Sequence, residues 1–538
     1  LEVHPPISAT RRRRSLRKHS ASKMRVSPLV RAARQLTSAG GVRRAAHGAW
    51  VPETKITNLP TGLRVASETI PAATVAVGVW IDAGSRYETP ETSGVAHFLE
   101  HLAFKGTIRR SKASLEEEVE NNGAHVNAYT SRESTVYWMK TTEDKTEWAL
   151  DVLSDLLLNS KLESGAIERE RGVILREMEH VNKSMEEYTM DELHDVAFSG
   201  QGLGLTILGP IANIKSISRK DIHTYIKTHY TPDRITIVGA GSVDHERFTA
   251  LAKKYFEPWA VPDAEPAFNT LEGEKSPEKL ETAANFRTAV FTPGERRQDL
   301  EKQDLCHIAF AFEGAGWRSP YALPLQLMQD MMGTQYDRLA PVHVTPFFSE
   351  VGARGLLHNC NATNISYKDT GVFGLYLKAD PRDMTRDPVP EPVLPAMMEA
   401  IIRHYTRFAY DVSEEELYRA KVNLKSVHLA TTETFERIAE ELGRQMLAYD
   451  RRMPAAEAFE RIDSITVEDI KETARAICLD VDHVMVAAGK VDGLPTYEWI
   501  SERNRVALLD PSTGYDWRLP WGGLPRPDVE VQRLSAVA

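Results

Sequence analysis

Apolar positions along the chain fall into two periods. Continuous or alternating apolar runs such as VGVWI and ITIVGAG in the first half, and IAFAF and VMVAAG in the second, predict buried β-strands. Segments with apolar residues three and four apart, such as GVAHFLEHLAF, predict helices with one core-facing side. The pattern also repeats. Residues 216–244, SISRKDIHTYIKTHYTPDRITIVGAGSVD, align without a gap on residues 464–492, SITVEDIKETARAICLDVDHVMVAAGKVD, and each copy leads from a helix through a loop into a buried strand. Upstream, VGVWIDAGSR parallels IAFAFEGAGWR, with a following helix that ends at Gly106-Thr107 or Gly333-Thr334. The chain therefore reads as an internal duplication, α+β in class, with two homologous α/β sandwich domains.

The expected boundaries follow from composition. The first domain spans residues 54–262, and a Pro-, Glu- and Lys-rich passage at 263–284 reads as an exposed linker. The second domain spans 285–503, and a Pro- and Gly-rich extension, 504–538, belongs to neither copy. Residues 1–48 carry Arg11 to Arg14, Arg17, Lys18, Lys23, Arg25, Arg31, Arg34, Arg43 and Arg44 against the single acid Glu2. That Arg- and Ser-rich, acid-poor composition is the mark of a mitochondrial targeting presequence, a basic disordered segment in the mature fold. From Met24 onward Leu29, Ala32, Ala33 and Leu36 share one helical face, which would put residues 1–23 upstream of the true start.

The 538 residues have an ordinary globular composition, 42% hydrophobic and 26% charged, and no apolar stretch approaches the ~18 to 20 residues of a membrane span. The net charge of −10, with the positive charge gathered at the N-terminus, argues against nucleic acid as a partner. Three scattered cysteines, Cys306, Cys360 and Cys478, supply neither a disulfide framework nor a thiolate zinc site. Any bound metal must use histidine and carboxylate.

GVAHFLEHLAFKGT puts His97 and His101 four apart on a helix, so that both imidazoles leave one face. Glu100 shares that face, where a carboxylate can accept a proton from an attacking water. Two imidazoles leave a metal undercoordinated, and the third ligand is expected from LESGAIERERGVILREMEH, in which Glu170 and Glu177 are seven apart and Glu163 extends the stripe. Spacing ranks Glu177 only slightly ahead of Glu170. A short two-His-one-Glu pattern is common by chance, but the helix is otherwise apolar (Val95, Phe98, Leu99, Leu102), and the repeat sets Pro324, Leu327 and Met328 against His97, Glu100 and His101. The architecture does not require these three polar residues.

HxxEH is the inverted zincin motif. With GSRYETPETSGVAHFLEHLAFKGT, NNGAHVNAYTSRESTVYW and ERERGVILREM, and with EGAGW, NISYKDTGVFGLY and RRMPAAEAFERID in the second half, the chain resembles the pitrilysin-like inverzincin metallopeptidases of family M16 over about residues 54–503. The likeness is strongest to the branch that comprises mitochondrial processing peptidase subunits and the core subunits of respiratory complex III. The resemblance implies one Zn2+ per chain on His97, His101 and Glu177, with Glu100 as general base and Glu170 as an acidic residue supporting the site. It also implies substrate contacts: Glu187 and Asp191 to an arginine near a presequence cleavage point, Phe104 to the residue after the cut, and the edge strand of Asn127, Ala128 and Tyr129 to extended substrate. Four apart on a helix, Glu187 and Asp191 can meet one guanidinium, though a solvated acidic face is the plainer alternative. His125 is read as structural.

The implied function is the zinc metalloendopeptidase activity that removes presequences from imported precursors. Its implied partners are an alpha-type (core 2) subunit in a heterodimer, presequence peptides and, in the dual role, other complex III subunits including cytochrome b. The implied location is the matrix or the matrix face of the inner membrane. The alternative is a catalytically idle structural core subunit of complex III. MGTQYDRLAPVHVTPFFSEVGARG lacks the glycine-rich loop of the alpha type, so the chain is not read as alpha.

Overall fold

The computed structural model describes residues 52–260, 288–338, 345–381 and 392–506. The basic N-terminal segment, the linker at 263–284, part of the MGTQYDRLAPVHVT passage and the extension beyond 506 lie outside the described residues. Among the described residues no helix is long and apolar enough to cross a membrane.

Two six-stranded sheets carry the fold. The first is ordered β1-β2-β6-β3-β5-β4, from β1 (Thr54–Asn58), β2 (Arg64–Thr69), β3 (Thr74–Ile81), β4 (His125–Thr130), β5 (Thr135–Thr142) and β6 (Ile235–Gly241). The second is ordered β7-β12-β8-β11-β10-β9, from β7 (Gly294–Asp299), β8 (Cys306–Gly314), β9 (Tyr336–Asp337), β10 (Asn359–Ser366), β11 (Gly371–Ala379) and β12 (Val484–Gly489). The duplication read from sequence is present in the pairing. β2 runs parallel to β6 as β7 does to β12, and every other shared pair, β3–β6 with β8–β12, β3–β5 with β8–β11 and β4–β5 with β10–β11, is antiparallel. The aligned repeats begin on matching capping boxes, Ser218 with Asp221 and Thr466 with Asp469.

Helices cover one face of each sheet with its own core, built on Val77, Val79, Leu153 and Ile237 in the first half and on Phe310, Phe373, Leu375 and Met397 in the second. The other face of each sheet is covered by a helix from the opposite half. Phe435–Tyr449 lays Ile438, Ala439, Leu442 and Met446 over Ala76, Trp80, Val136 and Val238. Reciprocally, Met185–Ala197 and the following Phe198 lay Leu193, Ala197 and Phe198 over Ala309, Ala311, Val372 and Val484. At about 1.5–3 kcal/mol for each fully buried large apolar side chain, this exchange ties the two halves into one unit. Gly443 marks the tightest approach: a Cβ there would lie 2.2 Å from the Trp80 ring.

Polar contacts reinforce the join. Buried Arg86 donates to Glu133 of its own half at 2.6 Å and to both Asp369 oxygens of the other half at 2.7 Å. Lys368 crosses in the same direction to Asp82 and to the Tyr87 hydroxyl.

Candidate metal and peptidase site

The motif helix, Val95–Ala103, starts without a side-chain cap from its own N-cap residue, Gly94, which sits at φ +99°. The cap comes from upstream. Buried Glu88 accepts the Gly94 N–H at 2.8 Å with one carboxylate oxygen and the Ala96 N–H at 2.7 Å with the other. Burial pushes the Glu88 carboxyl up to about 8, against the opposing pull of these two N–H donors. Gly94 is required for close packing too, since a Cβ would lie 2.8 Å from the Ile214 side chain and 2.9 Å from Gly209. Phe98, Leu99 and Leu102 bury the helix in the first core and leave the polar face to its neighbour, Ser164–Val181.

Between the two helices the expected ligands meet. Glu177 Oε1 lies 3.7 Å from His97 Nε2 and Oε2 lies 3.1 Å from His101 Nε2. The imidazole rings are edge to face with centroids 4.7 Å apart. Ligand atoms of His97, His101 and Glu177 all lie within 4.8 Å of one another. Hydrogen bonding with His97, then the nearby imidazole charges, holds the Glu177 carboxyl below the usual range. Two imidazole nitrogens and one anionic oxygen converging at these separations fit a divalent metal held by three protein ligands with a position left open. Among the described residues this is the one cluster of its kind found.

Glu170 stands behind His101, its Oε2 3.4 Å from Nδ1 while Oε1 accepts from Lys105 Nζ at 2.9 Å. A partner on the far nitrogen orients a ligand imidazole and fixes its tautomer. His97 differs, because its Nδ1 is buried without a hydrogen-bond partner. Glu163, expected on the same stripe, is instead the extended N-cap of the helix and sits beside Lys161 at 3.6 Å. Lys105 has no signal in the sequence, because it follows the helix C-cap Phe104 in a turn, where helical spacing from His101 no longer applies.

A cleft of about 450 Å3 opens on this cluster, lined by His97, Glu100, Glu177, Glu187, Asp191 and Arg132, with Ile365 of β10 on the far wall. Glu100 therefore faces the same space as the ligands. Glu187 and Asp191 come from Met185–Ala197, whose N-cap Ser184 accepts the Glu187 N–H at 3.5 Å. Glu187 is exposed, and Asp191 differs: Arg132 Nη2 donates to its Oδ1 at 2.5 Å. Arg132 is itself held by the Leu203 carbonyl at 3.1 Å. The two carboxylates are thus not equivalent, which helix spacing could not reveal.

Among the described residues β4 is the edge of the first sheet and pairs with β5 alone. Asn127 Oδ1 accepts the Ala128 N–H at 2.9 Å, so this amide is met by a neighbouring side chain. The Tyr129 side chain leaves the edge for the other half, its hydroxyl donating to Glu440 of the exchanged helix at 2.6 Å. Phe104, half-buried, packs on the first core with its ring 6.5 Å from that of Tyr137. His125 lies exposed at the start of β4 against Trp138 and outside the metal cluster.

The fold and this site define an internally duplicated α+β chain with a candidate metal site in its first half, and comparison with known proteins identifies the family. Residues 64–211 match the model of "Insulinase (Peptidase family M16)" and residues 216–424 that of "Peptidase M16 inactive domain". The chain belongs to peptidase family M16. Within it, the chain is 42% identical over 450 residues to the "Mitochondrial-processing peptidase subunit beta" of Lentinula edodes, covering 83% of this chain and 92% of that one. The human protein of the same name is 39% identical over 453 residues, 84% of this chain and 87% of that one. Among solved structures, a chain of complex III2 from Candida albicans superposes with a TM-score of 0.69 at 21% identity, over 84% of this chain and 99% of that one. A protease from Helicobacter pylori gives 0.69 at 20%, over 82% and 100%. These last two show the shared fold. The peptidase reading and the mitochondrial association drawn from the sequence agree with the family and with the relatives.

Proposed function

We propose that the chain is the zinc-dependent catalytic subunit of a mitochondrial processing peptidase of the beta type, removing N-terminal presequences from imported precursors with an alpha-type partner. The observation that carries this reading is the convergence of His97, His101 and Glu177 at one end of a cleft that also presents Glu100 and Glu187. His97, His101 and Glu177 would hold the zinc ion. Bound there, zinc supplies Lewis-acid polarisation of the scissile carbonyl and makes water a better nucleophile near neutral pH.

The chain's own residues do the rest. Glu100 takes the proton from the attacking water and delivers it to the leaving amine. Glu170 and Lys105 hold the His101 ring in place. The open edge of β4 adds the substrate as a further strand, the carbonyl of the peptide replacing Asn127 Oδ1 on the Ala128 N–H. Backbone pairing of this kind reads extended conformation and tolerates the varied sequences of presequences, while Glu187 supplies an anionic contact for a basic side chain.

The test is cleavage of an arginine-containing presequence peptide by the full chain, alone and mixed with its alpha partner. Cleavage by the pair, lost in Glu100→Gln with zinc retained, is the expected result; undiminished turnover in that variant would sink the assignment. Residence in complex III as a core subunit is a second reading, supported by likeness to the Candida albicans complex III chain and compatible with activity. Co-migration with cytochrome b on a native gel is its test. Intact ligands and an intact base weigh against a purely idle core subunit.

A further inference from the structure

The wall of the cleft that carries the acidic pair contains a third charge. Arg132 leaves the turn after β4, is 11% exposed at its side chain, and is fixed at two points: its Nε donates to the Leu203 carbonyl at 3.1 Å and its Nη2 to Asp191 at 2.5 Å. Its surroundings hold it there. His194, buried beside it, donates from Nδ1 to the Met190 carbonyl at 2.7 Å, so Nε2 must accept from the Tyr367 hydroxyl at 2.8 Å. The imidazole is thus locked in one neutral tautomer and places no second cation against the guanidinium. Glu187 lies one turn before Asp191, lines the same cleft, is exposed, and is paired with no cation among the described residues.

We infer that Arg132 is a built-in occupant of the basic-residue subsite, a specificity-determining residue that neutralises Asp191 and leaves Glu187 as the unpaired member of the acidic pair. Three groups fix the subsite at a net −1, from Glu187, Asp191 and Arg132. A substrate guanidinium is drawn to Glu187 and shares Asp191 with Arg132, and the fixed positive charge beside it opposes a second cation at the same place. The subsite therefore accepts a single arginine instead of gathering the densest run of positive charge in a basic peptide. This inference rests on the peptidase reading above, deepening its substrate recognition.

Charge counting gives a test that separates it from a merely structural role for Arg132. Binding of two peptides that differ only in arginine against citrulline is measured on the full chain with its alpha partner, in a Glu100→Gln background that does not turn over. Discrimination between the two peptides should rise about tenfold in Arg132→Gln, where the count is −2, and become steeper in its salt dependence. It should fall about tenfold in Asp191→Asn, where the count is 0. The double variant Arg132→Gln/Asp191→Asn restores −1 and should return to within about threefold of the parent, without leaving either partner unpaired. Because both members of the pair are removed together, this variant also keeps the test open if Arg132→Gln alone folds poorly. Equal loss of discrimination in both singles and the double would overturn the inference, because a structural role gives no recovery. A parent that binds both peptides equally would overturn the basic-substrate reading itself, along with the inference.

Discussion

The two halves share the order and the parallel and antiparallel pairing of five strands, and matching capping boxes, yet among the described residues the candidate metal cluster lies in the first half alone. On the motif helix the face opposite the core carries His97, Glu100 and His101. On the corresponding helix, Ala322–Met332, Pro324, Leu327 and Met328 are all buried. The next pair diverges in the same way. Counted from the N-caps Glu163 and Ser413, Glu170 and Glu177 correspond to Ala420, which is buried, and Val427, which is exposed. The sheet edges differ as well: β4 is open, whereas β10, its counterpart, is partly covered by β9 at Asn359 and Cys360. The candidate ligands, the candidate base and the open strand edge are therefore present together or replaced together, on a scaffold that folds either way. That is the physical content of a duplicated domain whose second copy matches the "Peptidase M16 inactive domain" model.

The largest expected effect separates the halves most sharply. Glu100→Gln should lower kcat by about 10²- to 10⁴-fold, the usual worth of a positioned general base, with little change in unfolding midpoint. Its counterpart in the second half should do the opposite: Leu327→Ala leaves kcat/KM in place but costs about 2–5 kcal/mol of stability, read by denaturant unfolding. Loss of activity beyond the unfolded fraction in Leu327→Ala would contradict the division of labour.

The exchanged helices sharpen the contrast between fold and site. Gly443→Ala pushes a methyl into the Trp80 ring and should destabilise by about 1–3 kcal/mol, seen as a lowered Tm with the indole fluorescence of Trp80 altered. Glu88→Gln retains the shape of the motif-helix cap but turns an amide N–H2 toward one backbone N–H. It should cost about 1–3 kcal/mol and weaken metal retention in a chelator competition, because the same helix carries both histidines.

The smallest effect is on pH dependence. Burial pushes the pKa of His194, His229 and His483 down to about 3. Their folded values lie below the unfolded value near 6.5, so the unfolded chain binds more protons between the two. Stability is complete above about pH 6.5 and is lost as pH falls toward 3, by roughly 1.4 kcal/mol per pH unit for each histidine. His194 and His229 lie in the first half and His483 in the second, so replacing each singly with asparagine should reduce the slope of stability against pH by about one proton whichever half it lies in.

Much of this was legible because it is local or periodic. Four-residue spacing put His97 and His101 on one face, a seven-residue interval put Glu170 and Glu177 on another, and self-similarity exposed the duplication. The unread parts join residues far apart in the chain. Arg132 and Asp191 are 59 apart, Arg86 and Asp369 are 283 apart, and Tyr129 and Glu440 are 311 apart. No periodicity links such pairs, and the residues look like ordinary surface charges in sequence. The helix exchange was hidden for a related reason: apolar spacing on Phe435–Tyr449 specifies a buried face without saying which sheet buries it. Glu88 was missed because a cap from seven residues ahead of the helix lies outside the usual N-cap position.

The central claim is that one metal ion, held in the first half alone, makes this chain a peptidase. The most direct test strips the full chain with a chelator, titrates zinc back in the presence of the alpha partner, and reads bound zinc and presequence cleavage in the same samples. One equivalent should restore cleavage in the wild type and bind without restoring it in Glu100→Gln, while His101→Ala should neither bind tightly nor cleave. Full cleavage by the stripped chain, or zinc retained at one equivalent in His101→Ala, would contradict the account.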